Sequence, residues 1–371
     1  MNRISEEFRL KKEFEKQRAS RLSDWAKGGK SGPFKIIYFP TNYCNLHCAI
    51  CWQRQGVHDY SELSKERKLQ LVDEAYHLGV KEFVIGGGGE PLFDWNTLSQ
   101  LMLKIKTLGM YGLLFTNGTL ITPEIAGSIV RMQWDKVLVS IDAATEKTND
   151  LIRGKGSYRQ IMTGLKHLLD ARGSANKPVI GIGYTLTQQG MDEIPDMIRM
   201  AGEMGCEQMN LTRLVVYKPS QRKFALNHHH LESLSGIMHI ALKLADKFNI
   251  LTNLNEYIDS KVFNKTDEFD DILLSNKTKP QDVNSFWNSL CFEPFTNLVI
   301  HAYGNVGPCC MSGDETLVSV KDRSLEDIWF GSEFTGLREG VLSRRLEPYC
   351  HLCDNNVFID NQHLRIIGSN L

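Results

Sequence analysis

Cys44, Cys48 and Cys51 lie within eight residues in the run Tyr43-Cys-Asn-Leu-His-Cys-Ala-Ile-Cys-Trp52, a C-x3-C-x2-C pattern. Thiols so spaced are metal ligands, and their number limits what they hold. A structural zinc site closes its tetrahedron with four ligands, and cysteinyl iron–sulfur ligation normally takes four thiolates. Three thiolates with no fourth nearby suit a cubane cluster held through three irons, the last iron being open to a group that is not protein. A zinc knuckle completed by His47 or His58 is the competing reading of the triplet alone.

A second set of cysteines is complete. Cys291 is followed after twelve residues by Gly304 and after four more by Cys309, and Cys350 and Cys353 form a C-x2-C knuckle. Thr296–Ala302 and Val306–Pro308, around Tyr303-Gly-Asn305, predict a β-hairpin that returns Cys309 close to Cys291. Hairpin and knuckle together offer four thiolates, for which zinc and [4Fe–4S] are both admissible. Cys310 is left over: it could replace Cys309 as ligand, but the x4 spacing favours Cys309, and a buried hairpin thiol is the expected role. Cys206 stands alone and reads as a small buried residue.

The elements that must position these residues alternate strand and helix. Strands are expected at Ile36–Pro40, Lys81–Ile85, Gly112–Phe115, Lys136–Ile141, Pro178–Leu186 and Gln208–Val216. Helices are expected at Ser64–Leu78, Trp95–Leu108, Pro123–Met132, Glu146–Ala171 and Asp192–Met204. Such repeats imply a parallel sheet with right-handed crossovers, whose chemistry sits at the carboxyl ends of the strands. The cysteine loop follows the first strand directly. On the same rim fall Gly86-Gly-Gly-Gly-Glu-Pro91, Thr116-Asn-Gly118, Ser140-Ile-Asp142 and Arg153-Gly-Lys-Gly156. Consecutive glycines let backbone approach a ligand closely. A serine and an arginine on one rim could hold a carboxylate. Arg213 and Tyr217, at the end of the sixth strand, point toward the mouth as candidates for substrate binding or proton transfer. A structural salt bridge or packed ring is the bland alternative for both.

Together these residues resemble the radical S-adenosylmethionine superfamily, over about residues 34–216. The triplet matches the family signature, with the aromatic Trp52 after the third cysteine. Gly88-Gly89-Glu90-Pro91 is similar to the family's GGEP motif, which contacts the amino group of the methionine moiety. Ser140 and Arg153 align with positions that hold its carboxylate, and Asn117 and Asp142 join the expected cofactor-binding set. The resemblance implies an α/β fold, a partial (β/α)6 TIM-like barrel. It implies that S-adenosylmethionine chelates the open iron of a [4Fe–4S] cluster. An electron, supplied by a partner such as flavodoxin or ferredoxin, then cleaves the sulfonium to give a 5′-deoxyadenosyl radical that takes hydrogen from substrate. The C-terminal cysteines resemble the SPASM/twitch extensions of this superfamily. With no cysteine after Cys353, the shorter twitch form is expected, a small β-hairpin/helix domain. It would hold one auxiliary [4Fe–4S] cluster on Cys291, Cys309, Cys350 and Cys353.

Charge is balanced, 43 basic against 44 acidic residues, so there is no electrostatic footprint for nucleic acid or anionic membrane. No apolar run is long enough to span a bilayer, and a cytoplasmic location is expected. The domains expected are an N-terminal helical extension (1–33), the radical barrel (34–216), a helical insertion (217–290) and the auxiliary-cluster domain (291–371). Within the insertion, His228-His-His230 reads as an exposed helix start, because consecutive residues point apart on a helix. Asn264–Asp282 reads as a loop or lid. The first 33 residues are too short for a peptide-recognition domain, which favours a small polar metabolite as substrate: a carbohydrate, aminocyclitol or nucleoside-like alcohol that is oxidised, epimerised or rearranged. The auxiliary cluster would accept the second electron of an oxidation. The alternatives are a peptide or protein maturase, and a non-enzymatic zinc or iron–sulfur binding module.

Overall fold

The structure is a computed structural model and describes residues 3–53, 62–258, 286–312, 318–353 and 355–368. Strands β1 (Lys35–Tyr38), β2 (Glu82–Ile85), β3 (Tyr111–Thr116), β4 (Lys136–Ser140), β5 (Val179–Leu186) and β6 (Gln208–Arg213) pair in chain order, all parallel. Short aliphatic runs such as Lys-Val-Leu-Val in β4 are buried on both faces, as parallel strands under helices require. Helix α1 (Arg3–Ala26) precedes the sheet. Between strands run α2 (Lys65–His77), α3 (Trp95–Thr107), α4 (Pro123–Arg131), α5 (Glu146–Arg153), α6 (Ser157–Arg172) and α7 (Ile194–Met204). This is the expected partial barrel. Asp94, Thr122 and Thr145 each accept the backbone N–H three residues on, at the starts of α3, α4 and α5. These caps satisfy orphan donors of the helix, and they anchor the far ends of the rim loops.

The helix expected over Glu146–Ala171 is two helices. Gly154 and Gly156 take φ of +110° and +78°, a region open to glycine and costly to other residues. The break leaves Arg153 as the last residue of α5. Near the C-terminal end a second helical stretch likewise divides, at Gly331, into α9 (Leu325–Trp329) and α10 (Ser332–Leu342), numbered after α8 below.

The segment between barrel and second cysteine set continues the barrel instead of linking it. Helix α8 (His228–Phe248) buries Leu234, Met238, Ala241 and Ala245 in the main core, a stripe at helical spacing. Fully burying a leucine or methionine is worth about 1.5–3 kcal/mol. Strand β7 (Leu251–Thr252) then pairs with β6 in parallel. At the other edge β8 (Asn297–Ile300) pairs in parallel with β1. It turns through Gly304 (φ +90°) into β9 (Asn305–Gly307), and β10 (Val318–Ser319) follows. One sheet of ten strands therefore runs β10-β9-β8-β1-β2-β3-β4-β5-β6-β7, across the boundary expected near residue 290.

The N-terminal helix is not an exposed extension. Helix α1 packs against α11 (Asn355–Gly368) and buries Ala19 and Leu22. Three of its charges are matched across the interface: Glu7 pairs with Lys136 and accepts from the Tyr111 hydroxyl, Arg18 pairs with Asp360, and Arg3 with Glu207. A charge-rich sequence here marks a neutralised interface. Of the histidine run, His230 caps α8 reciprocally with Asn227 and His229 is exposed. Cys206 is buried, its thiol pushed up to about 12 by burial. Asn264–Asp282 lies outside the described residues. Among the described residues, no helix is long and apolar enough to cross a membrane.

Candidate active site

The cysteine loop leaves the end of β1 and is held at both ends. Glu62 accepts from the Thr41 hydroxyl and the Asn42 amide, and Gln53 donates across the loop to the Asn42 carbonyl. The glycine loop after β2 runs against it, with Gly89 N–H on the Thr41 carbonyl and Glu90 N–H on the Tyr43 carbonyl. The glycines are needed for that approach. A Cβ on Gly89 would stand 1.9 Å from the Tyr43 carbonyl oxygen, and one on Gly88 (φ +65°) 2.6 Å from that of Thr41.

The two loops and the ends of β3, β4 and β6 enclose a cavity of about 390 Å³. Cys44, Cys48 and Cys51 line it, with Trp52, Gly88, Gly89, Glu90, Pro91, Asn117, Ser140 and Arg153. Of the residues expected to bind cofactor, Asp142 alone is absent from the wall. It is fully buried, takes the Thr185 N–H on one oxygen, and pairs through the other with Arg153 Nε at 2.7 Å. Glu90 also turns mostly to protein: its carboxylate accepts from Leu92 N–H, Thr116 Oγ1 and Asn117 N–H at 3.0, 2.6 and 2.6 Å. Burial raises its pKa against those three bonds. Asn117 Nδ2 donates to Asn45 Oδ1 at 2.9 Å and reaches 3.9 Å from Cys44 Sγ.

Burial raises the Cys44 thiol and pushes Cys48 up to about 12 despite Arg153 nearby. The Cys48 thiol sits 3.8 Å from the Arg153 carbonyl, a contact that only a protonated sulfur donates. His47, the candidate fourth ligand, is exposed and does not line the cavity, and His58 lies outside the described residues. No three of the described Cys, His, Asp or Glu side chains are drawn together at single-ion distances; the cysteines line cavities instead.

Arg213, the last residue of β6, and Tyr217, four residues past it, both reach the wall. Arg213 Nη2 lies 3.5 Å from the Cys353 carbonyl, and the Tyr217 hydroxyl donates to Met311 Sδ at 3.4 Å. Met311 lines the same cavity. Nothing in the sequence marked Met311: it lies between Cys309 and Cys350 of the second cysteine set and reaches the first only through the fold.

Cys291, Cys309 and Cys350 line a separate, small cavity with Glu293 and Tyr349. Burial pushes the Cys291 and Cys309 thiols well up, and the negative charge of Glu293 and the nearness of Cys353 add to it. Cys310 does not line that cavity. It is influenced by Glu293 and Lys35, with a thiol pushed up to about 11 by burial. Pairing of β8 with β9 returns Cys309 toward Cys291 as the hairpin reading expected.

Residues 38–201 match the family described as the radical SAM superfamily, and 291–354 match the iron–sulfur cluster-binding SPASM domain. The chain belongs to the radical S-adenosylmethionine superfamily and carries a C-terminal SPASM domain. Its cofactors are S-adenosylmethionine and [4Fe–4S] clusters, and the sulfur donors, close-approach glycines and Arg153–Ser140 pair around the cavity fit them chemically. Mycofactocin maturase MftC of Mycolicibacterium smegmatis is 30% identical over 214 residues, 56% of this chain and 50% of that protein. Fe-coproporphyrin III synthase of Methanosarcina barkeri is 31% identical over 170 residues, 45% of this chain and 41% of that one. The chain thus spans about half the length of the curated relatives it matches. Among solved structures, SuiB of Streptococcus suis bound to S-adenosylmethionine superposes with a TM-score of 0.63 at 17% identity, covering 83% of this chain and 68% of that one. That likeness is one of fold.

Proposed function

We propose that this radical S-adenosylmethionine enzyme acts on a peptide, as a maturase that modifies one side chain or the adjoining backbone. The observation that carries the reading is the far wall of the cavity. Trp52, Leu214, Val215, Tyr217 and Met311 form an apolar and aromatic face, with Arg213 at its edge. A peptide side chain fills such a face, whereas a polyol would leave hydroxyls unpaired against it, at a cost of about 1–3 kcal/mol each. The 30% identity to a maturase over 214 residues supports the same choice over the small polar metabolite expected from sequence.

In this reading Cys44, Cys48 and Cys51 hold the radical cluster. The backbone of Gly88–Pro91 takes the amino group of S-adenosylmethionine, while Ser140 and Arg153 take its carboxylate, and Asp142 positions Arg153. Trp52 and Asn117 border the cofactor, and Glu90 locks the glycine loop onto β3. Bound together and reduced by a donor of the flavodoxin or ferredoxin class, cluster and cofactor would supply the radical chemistry that removes a hydrogen atom from substrate. Arg213 and Tyr217 hold the substrate against the wall and keep water from it. Cys291, Cys309, Cys350 and Cys353 hold the auxiliary cluster.

The test is anaerobic reconstitution followed by incubation with a deuterated peptide encoded beside the gene. Two clusters per chain, dithionite-dependent 5′-deoxyadenosine and deuterium in that nucleoside are the expected results. Deuterium arriving from a sugar or nucleoside but from no peptide would overturn the peptide reading, and colourless zinc-bound protein would overturn the cluster reading.

A further inference from the structure

Gln221 is 1% exposed and far from any motif, yet its side-chain amide spans two functional segments. Its Oε1 accepts the backbone N–H of Tyr217 at 2.8 Å and of Lys218 at 3.0 Å. Its Nε2 donates to the carbonyl of Cys51 at 2.8 Å. The neighbouring Lys218 adds a bond from Nζ to the Gln53 carbonyl at 3.0 Å. Between these bonds lies Trp52, whose ring is 5.7 Å from Phe39 and 6.4 Å from Tyr217. The other side of Cys51 is tied within its own loop, by its N–H on the Cys48 carbonyl at 3.1 Å.

We propose that Gln221 is a positioning residue that fixes the peptide after the third cysteine and, with the same amide, the backbone of Tyr217 on the substrate wall. The inference rests on reading Cys44, Cys48 and Cys51 as the radical-cluster ligands. The amide is suited to the task because it must accept on one side and donate on the other. Glutamate at that position keeps the acceptor and loses the donor; methionine keeps the length and loses both. A bond to the carbonyl of a ligand cysteine orients the thiolate and tunes the cluster, as groups behind a metal ligand do generally. The N–H dipole of Gln221 presents its positive end toward that ligand. Removing it makes the reduced cluster less favourable, and a carboxylate there makes it less favourable still.

The experiment compares wild type with Gln221→Met and Gln221→Glu, each reconstituted. Iron content and circular dichroism check loading and fold. The deciding readouts are the midpoint potential of the radical cluster and the change in its electron paramagnetic resonance signal when S-adenosylmethionine is added. Potentials are expected to fall in the order wild type, Gln221→Met, Gln221→Glu, with an altered cofactor-induced signal and about tenfold slower 5′-deoxyadenosine formation in Gln221→Glu. Gln221 variants with the wild-type potential and signal overturn the proposal, since a role in folding alone would shift only the melting temperature. If both variants fail to fold, Lys218→Met, which loses only the bond to Gln53, is expected to shift the potential in the same direction by less, and an unchanged potential there overturns it too. If the wild type shows no cluster that responds to S-adenosylmethionine, the cluster reading has failed. Alkylation of Cys51 in the metal-free chain then decides the clamp by itself: several-fold faster labelling in Gln221→Met supports it, and equal rates overturn it.

Discussion

Arg153 Nε stands 2.7 Å from Asp142 Oδ2, with Asp142 fully buried and Arg153 nearly so. Burial alone would lower the pKa of Arg153, but the carboxylate of Asp142 and then the neighbouring Cys48 outweigh it, and the pKa is raised. The pair ties the C-terminus of α5 to the exit of β4, and through Thr185 N–H to β5. Arg153 is therefore held as a cation with its direction set by Asp142. Asp142→Asn keeps the shape and leaves the guanidinium without its counter-charge. Breaking a buried pair from one side costs about 3–5 kcal/mol. The expected outcome is a clear drop in melting temperature and S-adenosylmethionine binding weakened about tenfold, measured by equilibrium dialysis on the reconstituted variant. Binding at wild-type strength would show that Arg153 does not need Asp142 to orient it.

Glu90 makes a second prediction, with a definite sign in pH. Its pKa is raised by burial even though three donors stabilise its charge. A carboxyl whose folded pKa exceeds its unfolded one stabilises the fold fully below the unfolded value, and that contribution is lost as pH rises through the folded value. Glu90→Gln removes this dependence and sets an amide N–H against the donor or donors that one of the two carboxylate oxygens took, Leu92 N–H and Thr116 Oγ1 at Oε1 or Asn117 N–H at Oε2, at a cost of about 1–3 kcal/mol. The gap in melting temperature between wild type and variant is expected to be widest at acid pH and to narrow toward neutrality. A gap that stays constant with pH would contradict this.

The sequence made the chemistry legible and left much of the scaffolding hidden, for reasons that differ by residue. Three cysteines in eight residues and four glycines in a row are local patterns, and a parallel sheet has few ways to arrange them. The six barrel strands were readable from apolar runs separated by amphipathic helices. Strand β7 was not, because a two-residue strand carries no periodicity. The burial of α1 was masked by charges whose partners, Lys136, Glu207 and Asp360, are distant in sequence. Asp142 looked like a ligand-binding residue because it sits on the rim, but its side chain points into protein. Gln221 and Met311 could not be found at all, since a lone glutamine or methionine has no spacing that announces a role.

The second cysteine set distinguishes two adjacent thiols. Cys309 lines the small cavity with Cys291 and Cys350, while Cys310 does not line it and feels, besides the charge of Glu293 that all of Cys291, Cys309 and Cys310 feel, that of Lys35. Cys309→Ala is expected to lose about half of the reconstituted iron, the share of one [4Fe–4S] cluster in two. It should retain cofactor-dependent 5′-deoxyadenosine formation at a reduced level. Cys310→Ala is expected to keep the full iron complement. Iron and sulfide analysis decides between them, and the reverse pattern would make Cys310 the ligand.

Metal removal exposes the last prediction. Without iron, burial pushes the Cys48 thiol up to about 12, so at pH 8 only a trace of it is thiolate, the form that reacts and binds metal. The sign follows from linkage: a group that holds its proton more tightly in the folded chain stabilises that chain below the unfolded thiol value, and the contribution disappears as pH rises toward 12. Two consequences can be measured on the same metal-free sample. Iodoacetamide at pH 8 should label Cys48 at least about a hundredfold more slowly in the folded chain than in urea, because the thiolate fraction falls by that order or more. Iron uptake, which must displace the same proton, should accelerate as pH is raised from 7 to 9. Equal labelling of Cys48 folded and unfolded, with iron uptake indifferent to pH, would mean that the cysteine loop opens to solvent before it takes its metal.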